Sequence, residues 1–170
     1  MEKKEGIHQS TIINDSYLND LPSLKIALEI LKSESEDKKT TLILSDLPFD
    51  FSKESNSYKE LSELIVSFNI SQLIAVGKNL FANKEKIITP ALFFETSQEL
   101  IENLKDIDIS NHFILVKGNK EKEFQKIAVK LEAKKHQTTL EINLENIEKN
   151  YLTYQKLLTK ETKNLVMIKA

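Results

Sequence analysis

A chain of 170 residues, 40% hydrophobic and 29% charged with a formal net charge of −2, can bury the core of one globular domain plus a smaller appendage. No apolar run approaches the roughly 20 residues that span a bilayer, MEKKEG lacks the apolar core of a secretory signal, and no clustered basic face stands out. The composition fits a cytoplasmic protein without membrane or nucleic-acid partners. Cysteine is absent and all 24 basic residues are lysine, which excludes disulfides, thiolate metal sites and any bidentate guanidinium clamp.

In chain order, residues 11–17 (TIINDSY) read as a β-branched strand running into a turn. Pro22 and Ser23 open a helix to about Lys32, with Leu24, Ala27, Leu28 and Leu31 at helical spacing. Residues 40–47 (TTLILSDL) form a short apolar strand. Residues 55–68 follow as a helix that places Leu61, Leu64, Ile65 and Phe68 on one face. Residues 71–78 (SQLIAVGK) read as a buried strand ended by Gly77, and residues 91–96 as a shorter one. A helix over residues 97–107 takes Ser97 as its N-cap, with a capping-box Glu or Gln nearby. Residues 112–118 (HFILVKG) give a strand ended by Gly118, and residues 121–135 a strongly periodic helix.

Near-continuous apolar strands alternating with amphipathic helices predict an α/β fold: a Rossmann-like, mostly parallel sheet with helices on both faces. After about Lys135 the rhythm changes to strand, helix, strand, with Leu144, Ile147 and Tyr151 on one helical face and NLVMIKA as a final strand. The predicted domains are therefore 1–135 and a 136–170 tail.

Ligands of such sheets bind beyond the carboxyl ends of the strands. Asp15 ends the first strand, where a carboxylate can accept hydrogen bonds from a ribose diol, and Tyr17 beside it can pack on a base. Asn19 and Asp20 divide evenly between site and helix-cap chemistry. Asp46 and Lys117 end two further strands on the same predicted rim. Two acids and a lysine there also resemble the acid pocket of a phospho-receiver domain, although in a different order. A receiver-like or small-ligand-binding α/β module without enzyme activity is therefore the alternative reading. With three glycines in the chain, no Walker loop or G-x-G-x-x-G turn is present. His8, His112 and His136 show no ligand spacing, and no metal site is expected.

Four landmarks in order, NDSYLNDLP, LILSD, IAVGK and ILVKGNK, resemble the C-terminal domain of Mur ligases, nearest the branch that adds D-alanyl-D-alanine. The resemblance implies a lid that closes over ATP and helps bind the amine substrate, in peptidoglycan precursor synthesis. The P-loop and magnesium would belong to a central domain absent from this chain. It implies nucleotide contacts for Asn14, Asp15, Tyr17 and Asn19. Lys117, Gly118, Lys120 and Asp46 would form a rim toward phosphate or D-alanyl-D-alanine, with UDP-muramoyl-tripeptide as the other substrate. Lys120 stands where the family has arginine, and Leu18 where it often has Asn; MEKKEG resembles the interdomain linker.

The tail is similar to the start of alanine racemases, where an L-E-I-D-L segment leads through a helix to a V-K-A strand. By that resemblance Lys169 holds the Schiff-base position for pyridoxal phosphate. The expectation is a fragment of a bifunctional ligase and racemase, with upstream ligase and downstream racemase domains as its missing partners and neither activity in the fragment alone. A tail without its sheet partners should exchange its amides fast. Hydrogen exchange across residues 140–170 checks this, and strong protection in a monomer would contradict it.

Overall fold

The computed structural model describes residues 2–48, 54–118, 122–133, 142–159 and 161–162. The chain divides into two compact units, Met1–Lys134 and Lys135–Ala170. The first contains strands β1 (Glu2–Glu5), β2 (Thr11–Asp15), β3 (Thr40–Ser45), β4 (Gln72–Val76), β5 (Ala91–Phe94) and β6 (Phe113–Lys117). Its helices are α1 (Leu21–Glu34), α2 (Glu54–Ser67), α3 (Lys78–Ala82), α4 (Ser97–Asn103) and α5 (Lys122–Leu131).

The six strands form one sheet in the order β1-β2-β6-β3-β4-β5. Every neighbouring pair is parallel except β1 with β2. β6, last in sequence, therefore lies between β2 and β3.

Alternation along the strands sorts the core into two layers. Ile13, Leu42, Leu44, Leu73, Ala75, Phe113 and Leu115 face α1 and α2, where Leu24, Leu28, Leu31, Leu61 and Ile65 meet them. Ile12, Ile43, Ile74, Val76, Ile114 and Val116 face the other way, onto Leu100 of α4 and Phe124, Ile127 and Leu131 of α5. Both faces of β3 and β6 are thus buried, which is why the middles of these strands, Leu42–Leu44 and Phe113–Val116, are continuously apolar. Tyr58 of α2 lies inside the first layer.

Two local expectations change, both in the helix after β5, and one segment gains a structure: residues 2–5 of MEKKEG are an antiparallel edge strand, and the stretch beyond them meets the end of α5. There Ala133 N–H donates to the Glu5 carbonyl at 3.0 Å. Lys4 pairs with Glu132 at 2.9 Å, and the hydrogen bonds to Glu132 and Glu2 raise its pKa. An edge made of Glu and Lys side chains also discourages pairing with another sheet. The helix after β5 takes Thr96 rather than Ser97 as its N-cap, accepting from Glu99 N–H at 3.2 Å. It ends at Asn103, and residues 104–106 continue as a 3-10 turn.

In the second unit the described structure is helix α6 (Leu144–Leu157), capped by Asn143, whose side chain accepts from Asn146 N–H at 3.0 Å. Leu144, Ile147 and Tyr151 are exposed. The strands expected in the tail lie mostly or wholly outside the described residues.

At the amino end of the sheet His112 is buried, with Nδ1 2.7 Å from Thr41 Oγ1. Burial lowers its pKa from the usual 6.5; the nearby Asp108 charge opposes this and Lys39 adds to it. The unfolded chain therefore binds the extra proton more readily than the folded one. Stability is full above about pH 6.5 and falls as the pH drops below it. Asp20 and Asp108, held below their usual 3.8 mainly by backbone N–H groups, lose their contribution only at lower pH. Denaturant midpoints should fall between about pH 7.5 and about pH 5.5, and fall less in His112→Gln.

Candidate functional site

The carboxyl ends of the parallel strands form one rim, and the residue types at each end dictate what it offers. β2 and β6 are in register with Asp15 opposite Lys117, so both side chains leave the sheet on the face that α1 covers. They meet: Lys117 Nζ donates to Asp15 Oδ2 at 2.6 Å. The Lys117 side chain is 0% exposed and that of Asp15 16%. Among the described residues no hydrogen bond reaches Asp15 Oδ1.

The turn from β2 to α1 holds the remaining polar residues. Ser16 Oγ donates to Asn14 Oδ1 at 2.9 Å, closing the turn on itself. Tyr17 and Leu18 project into solvent, each 63% exposed. Asn19 reaches across to β3, donating through Nδ2 to Ser45 Oγ at 2.9 Å and to the Asp46 carbonyl, while its buried Oδ1 has no partner among the described residues. Asp20 caps α1, accepting from Ser23 N–H at 2.7 Å in a reciprocal capping box. The Ser23 backbone and hydroxyl hold its carboxyl below the usual range, and the Lys117 charge adds to this. Of the two residues divided between cap and site, Asp20 is thus the cap and Asn19 a tie between β3 and the β2 turn.

Asp46 sits apart from this group. Its carboxylate accepts from Asn79 N–H at 3.1 Å and Leu80 N–H at 2.8 Å, the first-turn amides of α3. The N-cap residue there is Gly77, which has no side chain to do so. Gly77 has φ 136, a region open to glycine, and a Cβ on it would lie 2.3 Å from the Asp46 carboxyl carbon. Asp46 thus holds a helix end, and among the described residues Lys117 is bonded to Asp15 rather than to Asp46.

A cleft of about 510 Å³ opens at the ends of β3, β4 and β5, lined in part by Asp46, Lys78, Asn79, Glu95, Thr96 and Phe124. Among the described residues, Asp46 is the rim residue nominated from sequence that lines it. Lys78 was visible in the V-G-K landmark, whereas Glu95 and Thr96 follow an unremarkable strand and carried no sequence signal. Gly118 is buried at the end of β6, where a Cβ would lie 2.2 Å from the Phe124 ring; its role is to admit that ring. Lys120 and Lys169 lie outside the described residues. Among the described residues no His, Asp or Glu group gathers as a metal site, and no helix is long and apolar enough to cross a membrane.

The fold is an α/β domain similar to a Mur ligase domain, and two comparisons carry the likeness. The chain is 29% identical over 128 residues to the UDP-N-acetylmuramoyl-tripeptide–D-alanyl-D-alanine ligase of Rickettsia prowazekii (strain Madrid E). That match covers 72% of the chain and 27% of the relative, so the chain spans about a quarter of the relative's length. In fold it is similar to a crystal structure of a domain assigned to a UDP-N-acetylmuramate:L-alanyl-gamma-D-glutamyl-meso-diaminopimelate ligase of Haemophilus ducreyi 35000HP. The TM-score is 0.57 at 14% identity, covering 76% of this chain and 94% of that one. No protein-family profile matches the chain.

The Asp46–Gly77 contact has a measurable consequence. Asp46→Ala should cost about 1 kcal/mol through the lost cap. Gly77→Ala should cost about 2 kcal/mol or more through its backbone conformation and the clash. In the Asp46→Ala background Gly77→Ala should cost less than in the wild type, because the carboxylate it strikes is gone. Chemical denaturation of the four proteins checks this, and strict additivity would contradict it.

Proposed function

We propose that residues 1–135 are the lid of an ATP-dependent ligase that adds D-alanyl-D-alanine to UDP-N-acetylmuramoyl-tripeptide in the cytoplasm, for peptidoglycan synthesis. The observation that carries this reading is Asp15. It stands at the carboxyl end of β2 with one carboxylate oxygen engaged and the other without a partner among the described residues, beside exposed Tyr17. An acceptor aimed from a strand end, next to an aromatic surface, suits a ribose hydroxyl and its base. The buried Oδ1 of Asn19, without a partner among the described residues, lies in the same turn and suits a further donor. Asn14 shapes that turn through Ser16.

ATP supplies the activated acyl phosphate in such a ligase, and the P-loop and magnesium come from another domain in this reading. This chain's own residues would orient the nucleotide and close water out, a lid role. Asp46 and Gly118 contribute by shaping the rim. Lys120 would extend it toward phosphate or D-alanyl-D-alanine.

The same kind of resemblance makes residues 136–170 the opening of an alanine racemase domain, with Lys169 at the Schiff-base position. The described part of that unit is one helix with exposed side chains. In this reading neither unit is catalytically complete, and racemase and ligase belong to one longer bifunctional polypeptide.

Titrating the isotopically labelled chain with ATP tests the nucleotide reading by amide shifts. Residues 14–19 and 117–118 should respond, with a dissociation constant on the order of 1 mM because the other half of the site is missing. Shifts confined to other residues, or none at all, would exclude it.

A further inference from the structure

A lysine at the end of a parallel strand, next to a glycine, invites the role of phosphate ligand. The geometry points to a different one: we propose that Lys117 is a positioning residue that sets the orientation of Asp15, and through it the preference for a ribose over a deoxyribose. This rests on the nucleotide reading above.

Three observations carry the proposal. The Lys117 side chain has no exposed surface, whereas a phosphate ligand must present its ammonium to the ligand. Its hydrogen bond runs to Asp15 Oδ2 at 2.6 Å, a short charge-assisted contact. Reaching a phosphate would require it to leave that partner and separate two charges in a poorly solvated place. The in-register pairing of β2 with β6 fixes both Cα positions, so the contact is built by the sheet and not by a mobile loop.

A carboxylate free to rotate offers either oxygen in many directions. With Oδ2 held, the directions open to Oδ1 are narrowed, and the Asp15 side chain keeps 16% of its surface exposed for a ligand. An ionised carboxylate only accepts, so its partner must be a donor. A ribose hydroxyl fits. Lys117 also balances the Asp15 charge, which reduces repulsion of a polyphosphate approaching the same rim.

The test compares ATP, 2′-deoxy-ATP, 3′-deoxy-ATP and adenosine as ligands of the full 170-residue chain. The proteins are the wild type, Asp15→Asn, Lys117→Met, Lys117→Gln and the Asp15→Asn/Lys117→Met double variant, each checked for folding by circular dichroism. The wild type should prefer ATP over one of the two deoxynucleotides by about tenfold, the worth of one hydrogen bond to a charged group. Lys117→Met should bring that ratio close to one and weaken adenosine as much as ATP. The double variant should match Asp15→Asn alone, because Lys117 acts through Asp15. Lys117→Gln keeps a donor for Oδ2 and should retain part of the ratio, which provides the answer if Lys117→Met does not fold.

A variant at Lys117 that weakens ATP and leaves adenosine untouched would make Lys117 a phosphate ligand and overturn the proposal. Equal weakening of all four ligands with the ratio preserved would make its role structural and overturn it too. A wild-type chain that binds none of them would remove the nucleotide reading itself, and this inference with it.

Discussion

Everything at the carboxyl rim depends on where β6 enters the sheet. The strand comes last in sequence among the six, yet it pairs on both sides, with β2 and with β3. That insertion buries Ile114 and Val116 on one face and Phe113 and Leu115 on the other. It also brings Lys117 against a carboxylate 102 residues earlier in the chain. A charged side chain survives full burial only if its charge is met, and Asp15 is the group that meets it. The ion pair is therefore both a condition for closing the sheet and the feature that makes Asp15 an ordered acceptor.

The rim then separates into two neighbourhoods with different chemistry. Around β2 and β6, a paired carboxylate, an exposed tyrosine and a tied-down asparagine suit recognition of a neutral, hydroxyl-bearing ligand part. Around β3, β4 and β5, Asp46 is occupied by the amides of α3, and the cleft beside it is lined by Lys78, Glu95 and Thr96. A link between the two is Asn19, whose amide joins the β2 turn to Ser45 and Asp46. That tie adds to the β3–β6 pairing, which already joins the two halves in one sheet.

The likeness to Mur ligases has the same division. Sequence identity to a ligase relative and a shared fold with a ligase domain support the architecture and the class. What the chain binds depends on a handful of side chains in one turn. A fold hosts many functions, so the argument for a nucleotide rests on the chemistry of Asp15 and its neighbours and not on the sheet.

The sequence alone determined the layers. Apolar runs such as TTLILS and FILVK, alternating with helices of 3.6-residue period, leave a doubly covered parallel sheet as the economical way to bury them. It also placed Asp15, Asp46 and Lys117 at strand ends, because each directly follows such a run. Only the tertiary structure decided which of them touch. Strand order is a long-range property, and nothing local distinguishes β6 beside β2 from β6 at an edge. For the same reason Lys117, read as a rim residue, is buried against Asp15, and Asp46, read as a rim acid, lines the cleft and also holds the end of α3. In each case the deciding partner lies far away in the chain, where periodicity and spacing carry no information.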